Sequence, residues 1–406
     1  MKLLYVASVD FYTKPNPSFH LMTSLLEDLI SAGIDVEFIG CKEEGLSRHI
    51  PKSLEKSAGF SYTLISVEKV PKNHFAKRYL AGIIYAHRVG KAIASIVDQC
   101  DVVFVQSSPT VVYTISQIKK RVKSQKIIYN VQDMFPGSSI ASGVMPNRLM
   151  QSFFYSLQKT AYKKSDYIVG ISGDMKTKLL EQGVPEDKIR VIVNWFDDNT
   201  VHEVVWEENR FVKKYSLSKH IFYIQYAGTI GYVFDYNMVL EVALRFKPYN
   251  DVVIQIIGEG SQKEEFVEKA KELRLDNIQF LPLEPQDMVS DVYSACSTCL
   301  IPLKRGIIGN SVPSKAGLIM ECRRSIVTSS DKDSEYNKMV NDNLIGIAKD
   351  CDDYDGVFES ILYLKNHPDT NIQYGNNAYQ YGHSLYSRKK NTEEYVALIH
   401  STIKGD

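Results

Sequence analysis

Two glycine-containing loops in the second half of the chain could bring main-chain atoms close to a ligand. Ala227-Gly228-Thr229-Ile230-Gly231 directly follows one apolar run, and Gly258-Glu259-Gly260-Ser261 directly follows the next. Glycine permits close approach of the backbone, and the amides that open a following helix favour phosphate. Either loop taken alone is more commonly a tight turn from strand to helix. Together they predict a nucleotide site that includes Gly228, Thr229, Gly231, Gly258, Glu259 and Gly260.

A third segment of the same half supplies positive charge. Pro302-Leu303-Lys304-Arg305-Gly306 is followed by Gly309-Asn310-Ser311-Val312-Pro313-Ser314-Lys315. Lys304, Arg305 and Lys315 could neutralise the charge that develops on a diphosphate leaving group. Ser314 is expected to cap a helix that begins near Lys315 and to point its amides at phosphate. The alternative interpretation is a solvated loop that leads into a capped helix.

The first half offers a carboxylate at a strand end, in Asn130-Val131-Gln132-Asp133-Met134-Phe135-Pro136. Asp133 could accept a proton from an acceptor hydroxyl or hydrogen-bond a donor sugar, and it is the candidate catalytic residue. The alternative is an aspartate that caps the following turn. Pro17, Ser18 and His20 are expected on the acceptor side, although a histidine so placed is more often packed or at the surface.

The elements that position these residues are short, near-continuous apolar runs separated by helical patterns. Such runs are typical of parallel strands covered by helices on both faces, so we predict an α/β fold of Rossmann-like units. The first predicted helix has Ser18 as its cap and Gly33 as its stop. The runs are Leu3–Ala7, Val36–Ile39, Val102–Val105, Ile127–Tyr129, Tyr167–Ile171, Val191–Val193, Ile221–Tyr226, Val252–Ile257, Ile278–Leu281, Thr298–Leu303, Ser325–Thr328 and Leu344–Ile347.

Two domains are expected, because 406 residues exceed one typical core and the strand pattern restarts at Ile221. We place the first domain at 1–195 and the second at 196–383. Lys plus Arg and Asp plus Glu both number 48, which argues against a dedicated nucleic-acid binder. The N-terminus lacks the features of a signal peptide and no run reaches the length of a membrane helix, so a cytoplasmic protein is expected.

Cysteine usage does not predict a disulfide scaffold or a metal site. The six cysteines are few for a chain of this length. Cys296 and Cys299 form a lone Cys-x-x-Cys with no second pair at zinc-binding spacing, so both are expected to be buried beside a core strand. No metal and no cofactor are expected.

One basic segment, residues 68–91, interleaves cations with apolar side chains. Its spacing fits a helix that lies on an anionic membrane surface, on the inner face of the plasma membrane. It fits equally well a helix packed on its own domain with a solvated basic face. The candidate membrane contacts are Lys72, Lys77, Arg78 and Arg88.

The order and spacing of several motifs resemble those of the family 4 retaining glycosyltransferases. The pattern is most similar to the fucosamine transferases that assemble bacterial surface polysaccharides. The resemblance covers nearly the whole chain. Its residues are 101–106, 132–136, 165–172, 184–189, Asn194-Trp195, Gly258-Glu259-Gly260, Ile301-Pro302-Leu303 and Pro313-Ser314-Lys315.

The resemblance implies two facing Rossmann-like domains, the arrangement called GT-B, with the nucleotide in the second domain and the acceptor in the first. It implies a helix at about 384–406 that packs back on the first domain, and a loop at Leu281–Leu283 that holds the base. It implies transfer with retention, without a metal, from a nucleotide diphosphate that is expected to be UDP. The acceptor would be a lipid-linked or free saccharide in capsule or O-antigen synthesis.

The chain departs from the family pattern at four positions, one of which is a lysine that the family carries after the first glycine loop and that this chain lacks. Thr229 stands where the family usually has an arginine, and Asn310 and Leu318 stand where it has two glutamates. The candidates to bind the phosphates in their place are Lys304, Arg305 and Lys315. Two other functions stay open at this point: a sugar-nucleotide epimerase of the same fold, and a non-catalytic subunit that binds a sugar nucleotide.

Overall fold

The apolar runs form two parallel β-sheets in the computed structural model of the chain. The structure describes residues 1–8, 17–43, 50–68, 70, 74–197, 199–311, 313 and 315–404. The chain divides into two compact units, which are called the first and second domains here. The first comprises residues 1–138, 145–194 and 389–406, and the second comprises residues 139–144 and 195–388.

The sheet of the first domain has seven parallel strands in the order β3-β2-β1-β4-β5-β6-β7. This order is that of a doubly wound Rossmann sheet, in which ligands bind beyond the carboxyl ends of the strands. The strands are β1 (Lys2–Val6), β2 (Asp35–Glu43), β3 (Phe60–Val67), β4 (Val102–Gln106), β5 (Lys126–Asn130), β6 (Tyr167–Gly170) and β7 (Ile189–Val191).

Helices connect these strands, as parallel pairing requires. The last helix of the chain, α16 (Arg388–Lys404), also belongs to the first domain over most of its length. The helices are α1 (Pro17–Ser31), α2 (Lys52–Glu55), α3 (Phe75–Ala92), α4 (Val111–Lys119), α6 (Arg148–Lys164) and α7 (Gly173–Glu181). The short helix α5 (Gly137–Ala141) begins in the first domain, and its last three residues belong to the second.

The second domain repeats the plan with six parallel strands in the order β10-β9-β8-β11-β12-β13. Its strands are β8 (Phe222–Ala227), β9 (Val252–Ile257), β10 (Ile278–Leu281), β11 (Thr298–Pro302), β12 (Ser325–Ser329) and β13 (Gly346–Lys349). Its helices are α8 (Arg210–Tyr215), α9 (Tyr236–Phe246), α10 (Lys263–Glu272), α11 (Val289–Ser294), α12 (Ala316–Glu321), α13 (Glu335–Asp342), α14 (Tyr354–Asn366) and α15 (Pro368–Leu385).

The predicted α/β fold of parallel sheets is confirmed, with three local corrections. Strand β3 was not predicted, because it lies at the sheet edge and most of its side chains are exposed or half-buried. Strand β2 extends four residues past its predicted end, and strands β7 and β13 lie two residues from their predicted bounds. The predicted cap at Ser18 is wrong, since α1 already begins at Pro17, and proline suits the first helical position. Gly33 does end the helix region, in the left-handed conformation at φ 80°.

Helix α16 is tied to the first sheet through Tyr395. This side chain is fully buried, and its ring centroid lies 5.9 Å from that of Phe104 on β4. Its hydroxyl donates to Oδ1 of Asn130 at the end of β5, at 3.1 Å. The last helix therefore completes the core of the first domain.

Candidate functional site

The two glycine loops of the second domain lie against each other, backbone to backbone. Gly228 donates its amide to Ile257 O at 2.8 Å, and Ile230 donates to Glu259 O at 3.0 Å. A Cβ on Gly258 would lie 1.9 Å from Gly228 O, which no side chain can tolerate. Gly228 and Gly258 also have φ angles of 145° and 147°, a region that glycine alone adopts readily. The loops that follow β8 and β9 therefore require glycine at positions 228 and 258.

Gly260, in the second glycine loop, also packs tightly against the main chain of the first loop. A Cβ there would lie 2.0 Å from Ile230 O. Gly231 is different, because the nearest atom to a Cβ at that position is Thr229 Cγ2 at 3.5 Å, an ordinary contact distance. Thr229 is exposed, and its carbonyl accepts a hydrogen bond from the Tyr226 hydroxyl at 2.6 Å. The first glycine loop therefore presents main-chain groups and the Thr229 side chain at its surface.

Lys315 reaches the first glycine loop from the segment before α12. Its Nζ would be 2.3 Å from a Cβ on Gly228, and it lies 3.5 Å from the ring centroid of Tyr226. Within the described residues, no carboxylate forms an ion pair with it. Burial lowers the pKa of the Lys315 amine to about 7, because a cation loses its hydration there. The structure therefore joins Lys315, Gly228 and Gly258 in one place.

A lysine that the sequence patterns did not single out, Lys263, belongs to the second glycine loop. Its Nζ donates to Gly258 O at 2.9 Å and pairs with Glu259 at 2.6 Å. Glu259, predicted to bind the donor, is thus engaged in an exposed pair with the lysine four residues later. The signal available in the sequence was a lysine at the first position of the helix after a glycine turn.

The segment after β11 places its two cations differently from Lys315. Arg305 pairs with Asp350 at 3.0 Å and with Asp352 at 2.6 Å, so two acids already compensate its charge. The partly buried Lys304 donates its amide to Val233 O at 3.1 Å. Buried Asn310 donates its side-chain amide to Gly306 O at 2.8 Å and thereby fixes the loop.

The loop after β10 carries Leu283, which is half-exposed. The next residue, Glu284, is buried and accepts hydrogen bonds from Lys214 at 2.8 Å and from the Tyr215 hydroxyl at 2.5 Å. Burial acts to raise the pKa of Glu284, but these two donors outweigh it and the pKa is lowered. Glu284 therefore stays charged and holds the loop to α8.

Asp133 in the first domain is exposed and lies three residues after the end of β5, between buried Val131 and Met134. Its loop begins from a chain of neutral amides that the sequence patterns did not single out. Asn130 donates to Gln106 Oε1 at 2.9 Å, Gln132 donates to Asn130 Oδ1 at 3.4 Å, and Asn194 donates to Gln132 Oε1 at 2.9 Å.

This amide chain, Gln106–Asn130–Gln132–Asn194, joins the carboxyl ends of β4 and β5 to the segment after β7. The hydroxyl of Tyr395 adds a fifth member through Asn130. Because its members are far apart in the sequence, only the folded chain reveals it. It fixes the start of the loop that carries Asp133.

Four predicted site residues lie wholly or in part outside the described residues. Ser314 and Lys72 lie outside the described residues, and the side chains of Pro17 and Ser18 do as well. His20 is half-buried in the first turns of α1, where its carbonyl accepts a hydrogen bond from Ser24 Oγ at 2.5 Å.

The basic segment forms α3, whose inner face is buried through Tyr85 and Val89. Lys77 and Arg78 are exposed near its start. Arg88 is exposed too, but its guanidinium donates to Ser66 O at the end of β3. The helix is thus packed on its own domain and still presents cations to solvent, so the two interpretations of this segment are compatible.

Apolar side chains are exposed beside these cations. On α3, Leu80 and Ile84 are 57% and 44% exposed, and on α6, Leu149 and Phe153 are 83% and 55% exposed. The two helices meet nearby, because the ring centroids of Tyr79 and Phe154 are 5.2 Å apart. Within the described part of the chain, no helix is long and apolar enough to cross a bilayer.

Cys296 and Cys299 are buried at the start of β11, as expected, with their sulfur atoms 3.4 Å apart. Burial raises the pKa of the Cys299 thiol well above its usual value. No group of three or more potential metal ligands occurs among the residues that the structure describes.

Two doubly wound domains, with a glycine-lined loop pair in the second, define the GT-B class of glycosyltransferase fold. Solved structures support this assignment of the fold. Sucrose-phosphate synthase from Thermosynechococcus elongatus matches with a TM-score of 0.76 over 100% of both chains, at 12% identity. Anabaena HepE in complex with UDP-glucose matches with a TM-score of 0.72 over 99% of this chain and 100% of that one, at 12% identity.

Family comparisons identify the chain more closely. The family described as Glycosyltransferase Family 4 matches residues 20–200, and the family described as Glycosyl transferases group 1 matches residues 207–381. The chain belongs to the family 4 glycosyltransferases and is a transferase.

Two curated relatives agree with this membership. The probable glycosyltransferase WbjE of Pseudomonas aeruginosa is 24% identical over 281 residues, 68% of each chain. The putative colanic acid biosynthesis glycosyl transferase WcaI of Escherichia coli K12 is 25% identical over 186 residues, 44% of this chain and 46% of WcaI. The match to WcaI thus spans about half of that protein.

Proposed function

We propose that this enzyme transfers a sugar from a UDP-sugar donor to a lipid-linked saccharide acceptor, with retention of the anomeric configuration. The observation that carries the proposal is the cation of Lys315, which has no carboxylate partner among the described residues and lies against Gly228. A lysine without a carboxylate partner, beside glycine main chain, is suited to a diphosphate. Lys304 is the second candidate for this grip, whereas Arg305 already has two acidic partners.

The choice of uridine rests on solved proteins of the same fold. Anabaena HepE was solved with UDP, with UDP and glucose, and with UDP-glucose. We expect the loop that carries Leu283 to hold the base through its main chain, because Glu284 fixes that loop to α8. Binding of GDP in preference to UDP in a thermal-shift screen of UDP, GDP and ADP would overturn this choice.

Asp133 is the proposed acceptor-side catalytic residue. It is exposed at the carboxyl edge of its sheet, where ligands bind in doubly wound folds. Its carboxylate can accept a proton or a hydrogen bond from a sugar hydroxyl. We propose that the donor's own phosphate assists in deprotonating the acceptor and that no metal takes part. Retention then needs no second carboxylate.

We further propose that the acceptor is assembled at an anionic membrane, for a surface polysaccharide of the capsule or O-antigen type. The name of WcaI refers to colanic acid biosynthesis, which supports the polysaccharide. The exposed cations Lys77 and Arg78, beside the apolar residues of α3 and α6, support the membrane. Cations attract anionic headgroups, and buried apolar side chains add binding energy.

The transfer is tested by time-resolved product analysis with UDP-sugars and a polyprenyl-diphosphate saccharide. The proposal predicts a saccharide one sugar longer, with the anomeric configuration of the donor. Conversion of the donor to its epimer without transfer would support an epimerase instead. An inverted anomer would contradict the retaining mechanism.

The membrane proposal is tested by sedimentation with vesicles that contain phosphatidylglycerol. The double variant Lys77→Glu/Arg78→Glu should lose most of its binding at low salt, as should Leu149→Ser/Phe153→Ser. The matched control is Lys119→Glu/Lys120→Glu, which reverses two exposed charges at the end of α4. Equal loss in the control would show a general charge effect and would contradict a specific surface.

A further inference from the structure

The surroundings of Lys315 contain no negative charge at neutral pH among the described residues. The titratable groups that face it are Tyr226 on β8 and Cys299 on β11, and Tyr293 on α11 interacts with both. Burial raises the pKa of each of these three groups, so all of them are neutral near pH 7. Gly228 and the other glycines of the loop pair bring only main chain.

The face of the Tyr226 ring lies 3.5 Å from the Lys315 amine and favours its charged form. Two contacts hold this ring: its hydroxyl donates to Thr229 O at 2.6 Å, and its centroid lies 4.3 Å from that of Phe234. A cation gains less over an aromatic face than it loses on leaving water without an anionic partner. The neutral amine therefore competes with the ammonium until an anion arrives.

We propose that Lys315 takes one proton from solvent when the donor's diphosphate binds, so that the nucleotide and the proton bind together. The inference rests on the proposed function and adds a mechanism for regulating the same site. The step is R–NH₂ + H⁺ → R–NH₃⁺, and the two negative charges of a nucleotide-sugar diphosphate provide the partner that the free site lacks. Opposite charge within about 4–6 Å favours the protonated amine.

The direction of the pH dependence follows from linkage. In the free protein the pKa of Lys315 is about 7, and the bound diphosphate raises it. At pH 6 the amine is already protonated, so binding takes up little proton and the affinity is near its maximum. Above pH 7 each bound nucleotide must recruit a proton, and the dissociation constant rises up to about tenfold per pH unit. Between pH 6 and 8.5 the expected loss of affinity is about 30-fold.

The test is isothermal titration calorimetry of the full chain with UDP-glucose at pH 7.5, in HEPES and in Tris. UDP-glucose is the probe because its diphosphate diester does not titrate between pH 6 and 8.5. The two buffers differ in their heat of ionisation, so the difference in binding heat counts the protons taken up. We expect about 0.75 proton per bound nucleotide, with the dissociation constant rising about 30-fold from pH 6 to 8.5.

Two variants assign the proton to its residue. Lys315→Arg keeps a permanent cation, so its binding should take up no proton, and its affinity should not change from pH 6 to 8.5. Lys271→Arg, at an exposed position on α10 of the same domain, should keep the wild-type proton count. Uptake that persists in Lys315→Arg would overturn the assignment.

The wild-type measurement decides the matter even where Lys315→Arg fails to fold. Binding of UDP-glucose without proton uptake would overturn this inference and leave the proposed function standing. If UDP-glucose, ADP-glucose and GDP-mannose all fail to bind, the proposed donor site and the proton uptake both fall.

Discussion

The carboxyl edges of the two sheets share a topology but differ in the residues at their strand ends. In the second domain, glycines come after β8 and β9, so main chain meets main chain and a cation lies beside it. In the first domain, neutral amides at the ends of β4 and β5 hydrogen-bond one another. One edge thus places a lysine beside closely packed glycine main chain, and the other links neutral amides by hydrogen bonds and exposes a carboxylate. This difference favours charge recognition by the second domain and acceptor chemistry in the first.

The largest expected effect tests the division of roles. Asp133→Asn should lower turnover by about 10²–10⁴-fold, because an amide cannot accept a proton from an acceptor hydroxyl. The dissociation constant for UDP should stay within about twofold of the wild-type value, since the nucleotide is assigned to the other domain. Steady-state kinetics and calorimetry measure the two quantities. Turnover at the wild-type rate would remove Asp133 from the catalytic site.

The next prediction concerns the glycines. Gly258→Ala should destabilise the second domain by about 3 kcal/mol, because its Cβ meets Gly228 O and its φ is unfavourable for alanine. Chemical denaturation measures this loss, and UDP binding should fall with it. Gly231→Ala is the matched control, because a Cβ there has room, and its effect should stay within about 0.5 kcal/mol. Equal tolerance of both substitutions would contradict the packed loop pair.

A smaller effect separates the cations of the second domain. Lys315→Met should weaken UDP binding at pH 6.5 by about 10–100-fold, as expected for the loss of a charge-assisted contact with phosphate. Arg305→Met should change it by less than about threefold, because Arg305 faces Asp350 and Asp352. Isothermal titration calorimetry at pH 6.5 compares the UDP affinities of the two variants. The opposite order would make Arg305 the phosphate ligand and return Lys315 to a structural role.

The smallest effect tests the amide chain of the first domain. Tyr395→Phe should lower the free energy of unfolding by about 1 kcal/mol, because Asn130 loses a buried hydrogen bond. The control, Tyr363→Phe on α14, removes a hydroxyl from a largely exposed side chain and should change stability by less than about 0.5 kcal/mol. Urea denaturation of both variants makes the comparison. No difference between them would show that the Tyr395 hydroxyl adds nothing to the fold.

Sequence patterns predicted the sheets well where strands are buried on both faces, because such strands are continuous apolar runs. The edge strand β3 escaped because only one of its side chains is fully buried. The glycine loops were predictable, since their conformation depends on local residue type. The environments of the cations were not predictable. Arg305 pairs with acids that lie more than forty residues later in the chain, and Lys315 contacts the ring of Tyr226, which lies much earlier in the chain.

Two of the residues that depart from the family pattern, Asn310 and Thr229, make local contacts in the structure. Asn310, at a position usually occupied by glutamate, donates to Gly306 O and shapes its own loop. Thr229, at the position of the usual arginine, contributes its carbonyl to the contact with Tyr226. Both residues therefore support the local backbone. In the proposed function the lysines bind the phosphates, and Lys315 is the first candidate among them.

Hydrogen–deuterium exchange with and without UDP-glucose tests the central assignment most directly, because it reports on both sheet edges in one experiment. We predict slower exchange over residues 227–231 and 257–262 when the nucleotide is bound, with residues 104–107 and 128–132 unchanged. Protection confined to the amide chain of the first domain, with none at the glycine loops, would contradict this assignment.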